Sequence, residues 1–505
     1  MAVQQSQTVE KRRKITASAL LLLCMLSLSG CKKSESEPVI RLSLNKERIV
    51  FDNPESDTPV RATLSIEADR RWSAVFTGDD CTLSASTGRA GISEITLETE
   101  ASNPGRTLTT LGRLTVLLDD GSANQTIEVK QRPQINRQTL LMYFCGTDLY
   151  SYYRNNLADV AKALSKNILP LGRIVAFTQP TSGNGCIVEY RYDEETNACK
   201  RDTLVRYAPL PGQTTDPEIM SRILAEMAAL APAERYGLHL ASHAKGWLPA
   251  SIESSSWLRS ARRSDDLWRK VSGAPETRWF GYDRGRYMNV SELVAALDEV
   301  NVQFDYLLFD ACFMSSVEAL YDLRHSADYI VASPCEVMAY GFPYETVIPA
   351  LFAEDGAQYD LVSACRNFYK HYNETASYNS GCVALAVCNE LDALAASMRE
   401  INAGTTKTVD PTTLQSYDGL KEHQFYDLEE YALQLTADDA FGEAFKRQME
   451  RCFPLAGRFH TAQFFSVYNN RMNDIRYYSG VTTYAPATVY QDDWQQTAWY
   501  AETKK

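Results

Sequence analysis

Two residues that could act together in covalent catalysis, His243 and Cys312, each follow a short apolar segment. Residues 306–309 read Tyr-Leu-Leu-Phe and run into Asp-Ala-Cys, which ends at Cys312. Residues 236–242 read Tyr-Gly-Leu-His-Leu-Ala-Ser and run into His-Ala-Lys-Gly-Trp, which begins at His243. A thiol with a nearby imidazole is the nucleophile-plus-base arrangement of a cysteine peptidase. We therefore predict Cys312 as a nucleophile and His243 as its general base and acid.

The two apolar segments indicate buried strands that bring these residues together. In an open α/β sheet, reactive groups collect where parallel strands end, so residues distant in sequence meet there. The spacing of Met314, Val317, Leu320 and Leu323 predicts a helix directly after the Cys strand, with Glu318 off its apolar face. A helix N-terminus beside Cys312 would stabilise its thiolate.

These motifs resemble the His and Cys motifs of the clostripain family, cysteine peptidases with the caspase and gingipain fold. The resemblance spans roughly residues 138 to 490. One departure is Ala244, since family members usually carry Gly directly after the His. The other segments that fit the family are Tyr143, Asp148-Leu149, Asp427-Leu428 and residues 480–486.

The resemblance implies an endopeptidase that forms an acyl-enzyme and cleaves after Arg, and less well after Lys. The N–H groups of Ala244 and Cys312 would bind the oxyanion. Asp310 would receive the basic substrate side chain; the alternative is a carboxylate that caps the following helix. Family members also cut themselves after a basic residue between the two motifs. There a Ser-rich segment, which reads as an exposed loop, offers Arg259, Arg262 and Arg263.

Two other function classes stay open from the sequence. The chain could be a catalytically inactive surface lipoprotein that binds peptides or glycans, or an adhesin that uses only its N-terminal part. The intact His and Cys favour the enzyme. The remaining histidines, His239, His325, His371, His423 and His460, lack a comparable strand-end context.

Composition narrows the partners. The 505 residues carry a net charge of −13, which argues against nucleic acid as a partner. Protein or peptide substrates are what the family resemblance implies. The 12 Cys form no CxxC pair and no zinc-ligand spacing, so no metal or other cofactor is expected, with calcium left open. Their disulfide state is likewise open. A chain of this length contains two or more domains.

The N-terminus is typical of an exported lipoprotein. Residues 1–31 combine a basic start, an apolar run and the end Leu-Ser-Gly-Cys, which resembles a bacterial lipobox. Cys31 would then carry the lipid, and the chain would meet the membrane only through this anchor, on the periplasmic face or the cell surface. A plain signal peptide is the alternative. The polar residues 32–38 read as a tether.

Two folded domains are predicted after the tether. Residues 39–133 show short alternating strands, typical of a small all-β immunoglobulin-like sandwich. Trp72 and the closing Val-Lys-Gln at 129–131 resemble a BACON-type domain of Bacteroidetes, which implies either glycan binding or a spacer. We predict Trp72 in the core. Residues 138–505 alternate strands and helices, which predicts an α/β caspase-like domain with a mostly parallel sheet, flanked by helices that include 389–455.

Overall fold

A computed structural model describes residues 41–51, 54, 58–103, 109–131, 136–165, 172–193, 198–249, 281–352, 359–436, 438–486 and 489–504. The chain divides into two compact units. Unit 1 contains residues 1–51, 57–100 and 110–130, and unit 2 contains residues 52–56, 101–109 and 131–505. Of the helices in the described ranges, none is long and apolar enough to cross a membrane.

Unit 1 is all-β, with two sheets. One sheet has the strand order β1-β3-β7-β5, and the other has the order β2-β9-β8-β4-β6. The strands are β1 Leu42–Leu44, β2 Arg48–Phe51, β3 Val60–Ala68, β4 Trp72–Gly78, β5 Cys81–Leu83, β6 Thr87–Gly88, β7 Gly91–Thr99, β8 Thr109–Leu118 and β9 Asn124–Gln131. Alternate residues of both sheets form one core, in which Trp72 is only 1% exposed, as predicted.

Unit 2 is built on a sheet of nine strands in the order β13-β12-β11-β10-β14-β15-β16-β17-β19. The five central strands, β11, β10, β14, β15 and β16, are parallel to one another. Antiparallel strands flank them on both sides. The sheet is therefore mixed rather than mostly parallel. Its strands are β10 Asn136–Phe144, β11 Gly172–Thr181, β12 Asn184–Asp193, β13 Ala198–Tyr207, β14 Ala233–Ala241, β15 Phe304–Asp310, β16 Ala327–Ala332, β17 Cys382–Val387 and β19 Arg458–His460.

Short strand pairs lie outside this sheet, and helices cover both of its faces, because the central strands are apolar on both sides and need cover on both. The short strands are β18 Tyr426–Asp427, β20 Gln463–Ser466, β21 Arg471–Asp474 and β22 Thr482–Thr483. In the described ranges, the α-helices are α1 Tyr150–Leu164, α2 Pro217–Leu230, α3 Val290–Asp298, α4 Val317–Leu323, α5 Tyr344–Val347, α6 Leu361–Lys370, α7 Leu391–Gly404, α8 Leu428–Leu435, α9 Asp439–Cys452, α10 Gln491–Trp494 and α11 Ala498–Thr503.

The helix after the Cys strand differs from its prediction in two respects. Helix α4 begins at Val317, five residues beyond Cys312, so its N-terminus does not directly follow the thiol. Glu318, predicted off the apolar face, is fully buried. Its Oε1 accepts hydrogen bonds from the Thr483 hydroxyl (2.8 Å), the Tyr484 N–H (3.0 Å) and the Trp494 indole N–H (3.1 Å). Glu318 therefore joins α4 to a segment far away in sequence.

The same distant segment supports the chain between Cys312 and α4. The Ser315 hydroxyl donates to the Gly480 carbonyl (2.7 Å), and the Thr482 N–H donates to the Ser315 carbonyl (2.9 Å). Residues 480–484 thus pack directly behind the turn that carries Cys312.

Candidate active site

His243 and Cys312 leave the sheet at equivalent places. Strands β14 and β15 are parallel neighbours, and their last registered pair is Ala241 with Asp310. His243 and Cys312 each follow two residues after this pair. Neighbouring strands lie about 4.8 Å apart, so the two side chains start from adjacent positions on one sheet edge. This edge is the carboxyl end of the parallel strands, where the sequence predicted the site.

His243 is oriented by Asp148, which lies between the end of β10 and the start of α1. His243 Nε2 lies 2.5 Å from Asp148 Oδ2. The side chains are 19% and 35% exposed, so the pair lies at the open rim of the site. The other ring nitrogen, Nδ1, is buried.

Cys312 lies in a sharply turned and fully buried loop. Its Sγ accepts a hydrogen bond from the Val337 N–H at 3.3 Å and lies 3.8 Å from the Val337 carbonyl oxygen, to which the thiol donates. The next residue, Phe313, has a φ of 57° and donates its N–H to the Cys335 carbonyl at 3.0 Å. Such strained backbone persists only where the surroundings hold it. The turn replaces the helix N-terminus that the sequence predicted beside the thiol.

Gly246 shows how closely the His and Cys loops approach each other. It has a φ of 56°, and a Cβ placed on it would lie 2.5 Å from the Phe313 carbonyl oxygen. Only glycine combines this backbone conformation with such an approach. The glycine of the His-Ala-Lys-Gly-Trp motif therefore allows the His loop to reach Phe313, the residue after Cys312.

Asp310 is fully buried at the end of β15. Its Oδ2 accepts a hydrogen bond from the Tyr344 hydroxyl at 2.5 Å, and the same hydroxyl lies 2.6 Å from His239 Nε2. The helix-capping alternative for Asp310 is wrong, because α4 has Ser316 at its N-cap position. His239 is buried and bonded to Tyr344, away from the rim where His243 lies.

Two tyrosines and a lysine complete the described surroundings. The Tyr282 ring lies 6.3 Å from the His243 ring, and the Tyr287 ring lies 5.0 Å from that of Tyr282. Lys245 Nζ lies 5.6 Å from the centre of the Tyr287 ring. Burial lowers the pKa of Lys245 to about 6, so its amine is largely neutral at pH 7.

Some predicted residues cannot be placed. Arg259, Arg262 and Arg263, as well as Cys31, lie outside the described residues. Sequence reasoning also missed Asp148 as the partner of His243, although it quoted this residue as part of the family pattern. The signal that could have found this partner is an acidic residue just after the end of β10, because β10 pairs with β14, the strand that precedes His243. Within the described ranges, no group of three or more His, Cys, Asp or Glu side chains could hold a metal ion.

The profile of the Clostripain family matches residues 264–475. A secreted C11 cysteine protease from Bacteroides thetaiotaomicron, "iotapain", is 30% identical with a TM-score of 0.64, over 73% of this chain and 99% of that one. An inactive zymogen C11 protease from Parabacteroides distasonis is 26% identical with a TM-score of 0.62, over 74% and 99% of the two chains.

A further secreted C11 cysteine protease from Bacteroides thetaiotaomicron, in complex with an irreversible peptide inhibitor, has a TM-score of 0.61 at 24% identity, over 73% and 98% of the two chains, and shows the fold alone. No curated protein matches the chain. The iotapain match covers nearly that whole protein at 30% identity, and the family profile includes Cys312. The chain therefore belongs to the clostripain (C11) family of cysteine peptidases.

Proposed function

We propose that this peptidase cleaves after basic residues through a Cys312–His243 dyad oriented by Asp148. The observation that carries the proposal is the common sheet edge, where both residues follow the registered pair Ala241 and Asp310 by two positions. Cys312 Sγ attacks the scissile carbonyl, and His243 Nδ1 protonates the leaving amine. The same nitrogen then activates the water that hydrolyses the acyl-enzyme. Asp148 holds the imidazole through Nε2 and stabilises its charged form.

The oxyanion donors in this proposal are the N–H groups of Ala244 and Cys312. Ala244 directly follows His243, and Cys312 follows the end of β15 by two residues. Both N–H groups therefore belong to loops at the carboxyl edge of the sheet. The neighbouring N–H of Phe313 is not a candidate, because it donates to the Cys335 carbonyl. Ala244 in place of glycine keeps the donor, since every residue except proline carries an N–H.

The dyad is tested with Cys312→Ala and His243→Ala, assayed on a peptide reporter. Each should abolish turnover, because each removes a whole catalytic role. Cys335→Ala is the matched control, since Cys335 is an equally buried thiol near the same turn. Turnover that survives in Cys312→Ala, or disappears only in Cys335→Ala, would reassign the nucleophile.

For specificity, we propose that Asp310 receives the basic side chain, Arg in preference to Lys. A buried carboxylate two residues before the nucleophile is suited to pair with a guanidinium, which it can bind with two hydrogen bonds. The carboxylate is covered in this structure, so the basic side chain must displace part of its cover. Asp310→Asn should cost roughly 2–4 kcal/mol on Arg substrates, the scale of an unpaired buried charge.

Asp427→Asn is the matched control for this experiment. Asp427 is likewise fully buried, and its Oδ2 accepts a hydrogen bond from the Tyr417 hydroxyl at 3.0 Å. Both variants are compared on reporters that end in Arg, Lys and Asp. Normal cleavage of Arg reporters by Asp310→Asn would place the specificity acid elsewhere.

We further propose that the chain is a zymogen that cuts itself after Arg259, Arg262 or Arg263. The burial of Cys312 supports this proposal, because a peptide cannot reach a sulfur with no exposed surface. Denaturing gels should show two fragments for the wild type and one band for Cys312→Ala. The lower fragment should begin at Ser260, Arg263 or Ser264. A variant with all three arginines changed to Gln should stay intact, and full activity of that intact chain would refute the proposal.

For the N-terminal part, we propose a lipid anchor at Cys31 and a β-domain, of BACON type, that acts as a spacer. Three aromatic residues occur in the described part of unit 1: Phe51 and Trp72 are buried, and Phe76 is partly buried. They offer no open ring face for stacking on a sugar, which favours the spacer over glycan binding. Cys31→Ser should release the protein from membranes in cell fractionation, and a glycan array should give no signal for the whole protein.

A further inference from the structure

Two partly exposed tyrosines, Tyr282 and Tyr287, lie beside His243. The two rings are 5.0 Å apart and inclined by 40°, and Tyr282 meets the His243 ring edge-on at 6.3 Å. His243 and Asp148 are themselves 19% and 35% exposed. The proposed mechanism gives the tyrosines no role, although a substrate bound at His243 would pass beside them.

The segment that carries these tyrosines is fixed by Asp283, which is 1% exposed. Asp283 Oδ2 accepts hydrogen bonds from the Thr214 N–H at 2.7 Å and from the Thr214 hydroxyl at 3.0 Å. The Gln213 side chain donates to the Asp283 carbonyl at 3.1 Å, and the Arg286 guanidinium donates to the Thr215 carbonyl at 3.2 Å. Residues 281–287 are therefore a built wall.

The wall also contacts the loop that carries His243 and the loop that carries Asp148. The Gly281 N–H donates to the hydroxyl of Ser242, the residue before His243, at 3.0 Å. A Cβ on Gly146 would lie 2.3 Å from the Tyr282 carbonyl oxygen, so the loop that carries Asp148 packs directly on the wall. These contacts hold the Tyr282 ring in a fixed relation to the dyad.

The chemistry of the wall indicates what it would bind. Tyrosine rings offer flat apolar surface at a small entropic cost. The nearby carboxylate of Asp148 is engaged by His243, and the amine of Lys245, 5.6 Å from the Tyr287 ring, is buried and largely neutral at pH 7, so neither group presents a charge with which a charged side chain could pair. An apolar or aromatic group therefore fits this surface better than a charged one.

We propose that Tyr282 and Tyr287 form a subsite that takes an apolar or aromatic side chain of the substrate, next to the scissile bond on the His243 side. The subsite rests on the proposed function through the catalytic role of His243. It adds a second determinant of specificity, separate from the basic side chain assigned to Asp310.

The test digests a peptide library with the cut wild-type protein and reads every cleavage site by mass spectrometry. An apolar or aromatic residue should be enriched at one position next to the cut bond. Two peptides that differ only there, Phe against Gly, then give kinetic constants. Tyr282→Ala and Tyr287→Ala should lower kcat/KM on the Phe peptide about tenfold, mainly through KM, and change the Gly peptide less than about twofold.

Tyr282→Phe and Tyr287→Phe keep the rings and should behave as the wild type. Three results would overturn the subsite: no enrichment in the wild-type digest, an equal loss on both peptides in the Ala variants, or a loss in the Phe variants as large as in the Ala variants. The same digest reports the residue before the cut separately. Absence of Arg and Lys there would contradict the proposed function without affecting the reading at the neighbouring position.

Discussion

Asp148→Ala is the perturbation that tests most directly how the catalytic histidine is oriented. Asp148 accepts a hydrogen bond from His243 Nε2 at 2.5 Å, and in the proposed mechanism this contact stabilises the imidazolium. Hydrogen bonds to charged groups contribute about 1.5–3 kcal/mol. Asp148 is 35% exposed, so water replaces part of the lost interaction and the lower half of that range applies. A loss of about 1.5–2 kcal/mol corresponds to about a 10- to 30-fold decrease in kcat/KM.

Asp159→Ala is the matched control, because Asp159 has the same 35% exposure and pairs with Lys162 instead of a catalytic residue. Both variants are assayed on an Arg-ended reporter, and the rates are normalised to the fraction of cut chain on a denaturing gel. The rate at which iodoacetamide alkylates Cys312 is measured in parallel, since a misplaced imidazole no longer supports the thiolate.

The reasoning would be refuted by an Asp148→Ala enzyme whose kcat/KM stays within about twofold of the Asp159→Ala enzyme. In that case the imidazole would be held by its packing alone. A decrease in turnover with an unchanged alkylation rate would place the role of Asp148 after thiolate formation, in protonation of the leaving amine or activation of water.

Two further predictions concern strain and pH. Gly246→Ala should lower activity by more than about tenfold, because the new Cβ would lie 2.5 Å from the Phe313 carbonyl oxygen. Gly285→Ala is the control: its φ is 83°, but its Cβ would have no atom within 4 Å, so this change should only strain the backbone. Equal activity of the two variants would contradict the prediction. Burial raises the pKa of Asp427 to about 6 from 3.8. This carboxyl group therefore contributes to the free energy of unfolding below pH 4, and roughly 3 kcal/mol of that contribution is lost as the pH rises through 6. The thermal unfolding temperature of Asp427→Asn should accordingly depend less on pH between 4 and 7 than that of the wild type. Identical pH slopes for the two proteins would refute the pKa shift.

The placement of His243 and Cys312 after two neighbouring parallel strands could be predicted from the sequence because its signals are local. An apolar run followed by His243 or Cys312 is visible without any partner, and the parallel pairing of such strands follows from the alternating pattern. The burial of Trp72 was predictable for the same reason, since its neighbours alternate in a strand. The mixed character of the sheet was not, because the direction of the flanking strands depends on their loops and partners.

The features that escaped prediction depend on distant contacts or on backbone torsions. Asp148 becomes the partner of His243 only because β10 pairs with β14 in a particular register. In the sequence alone Glu318 looks like an exposed helical position, because the three hydrogen-bond donors that satisfy its buried carboxylate come from residues 483–494. The delayed start of α4 follows from the positive φ of Phe313, which a phenylalanine does not announce in sequence.

The contacts behind the Cys312 turn have a consequence for the timing of folding. Ser315 and Glu318 complete their hydrogen bonds only with residues 480–494, which follow them by more than 160 positions. Contacts of such long sequence separation carry a high cost in loop-closure entropy and form late. Most of the sheet can assemble before the nucleophile receives its final support. During synthesis from the N-terminus, the turn that carries Cys312 is therefore completed in one of the last steps of folding. By then the strand that precedes His243 has already paired with its neighbours.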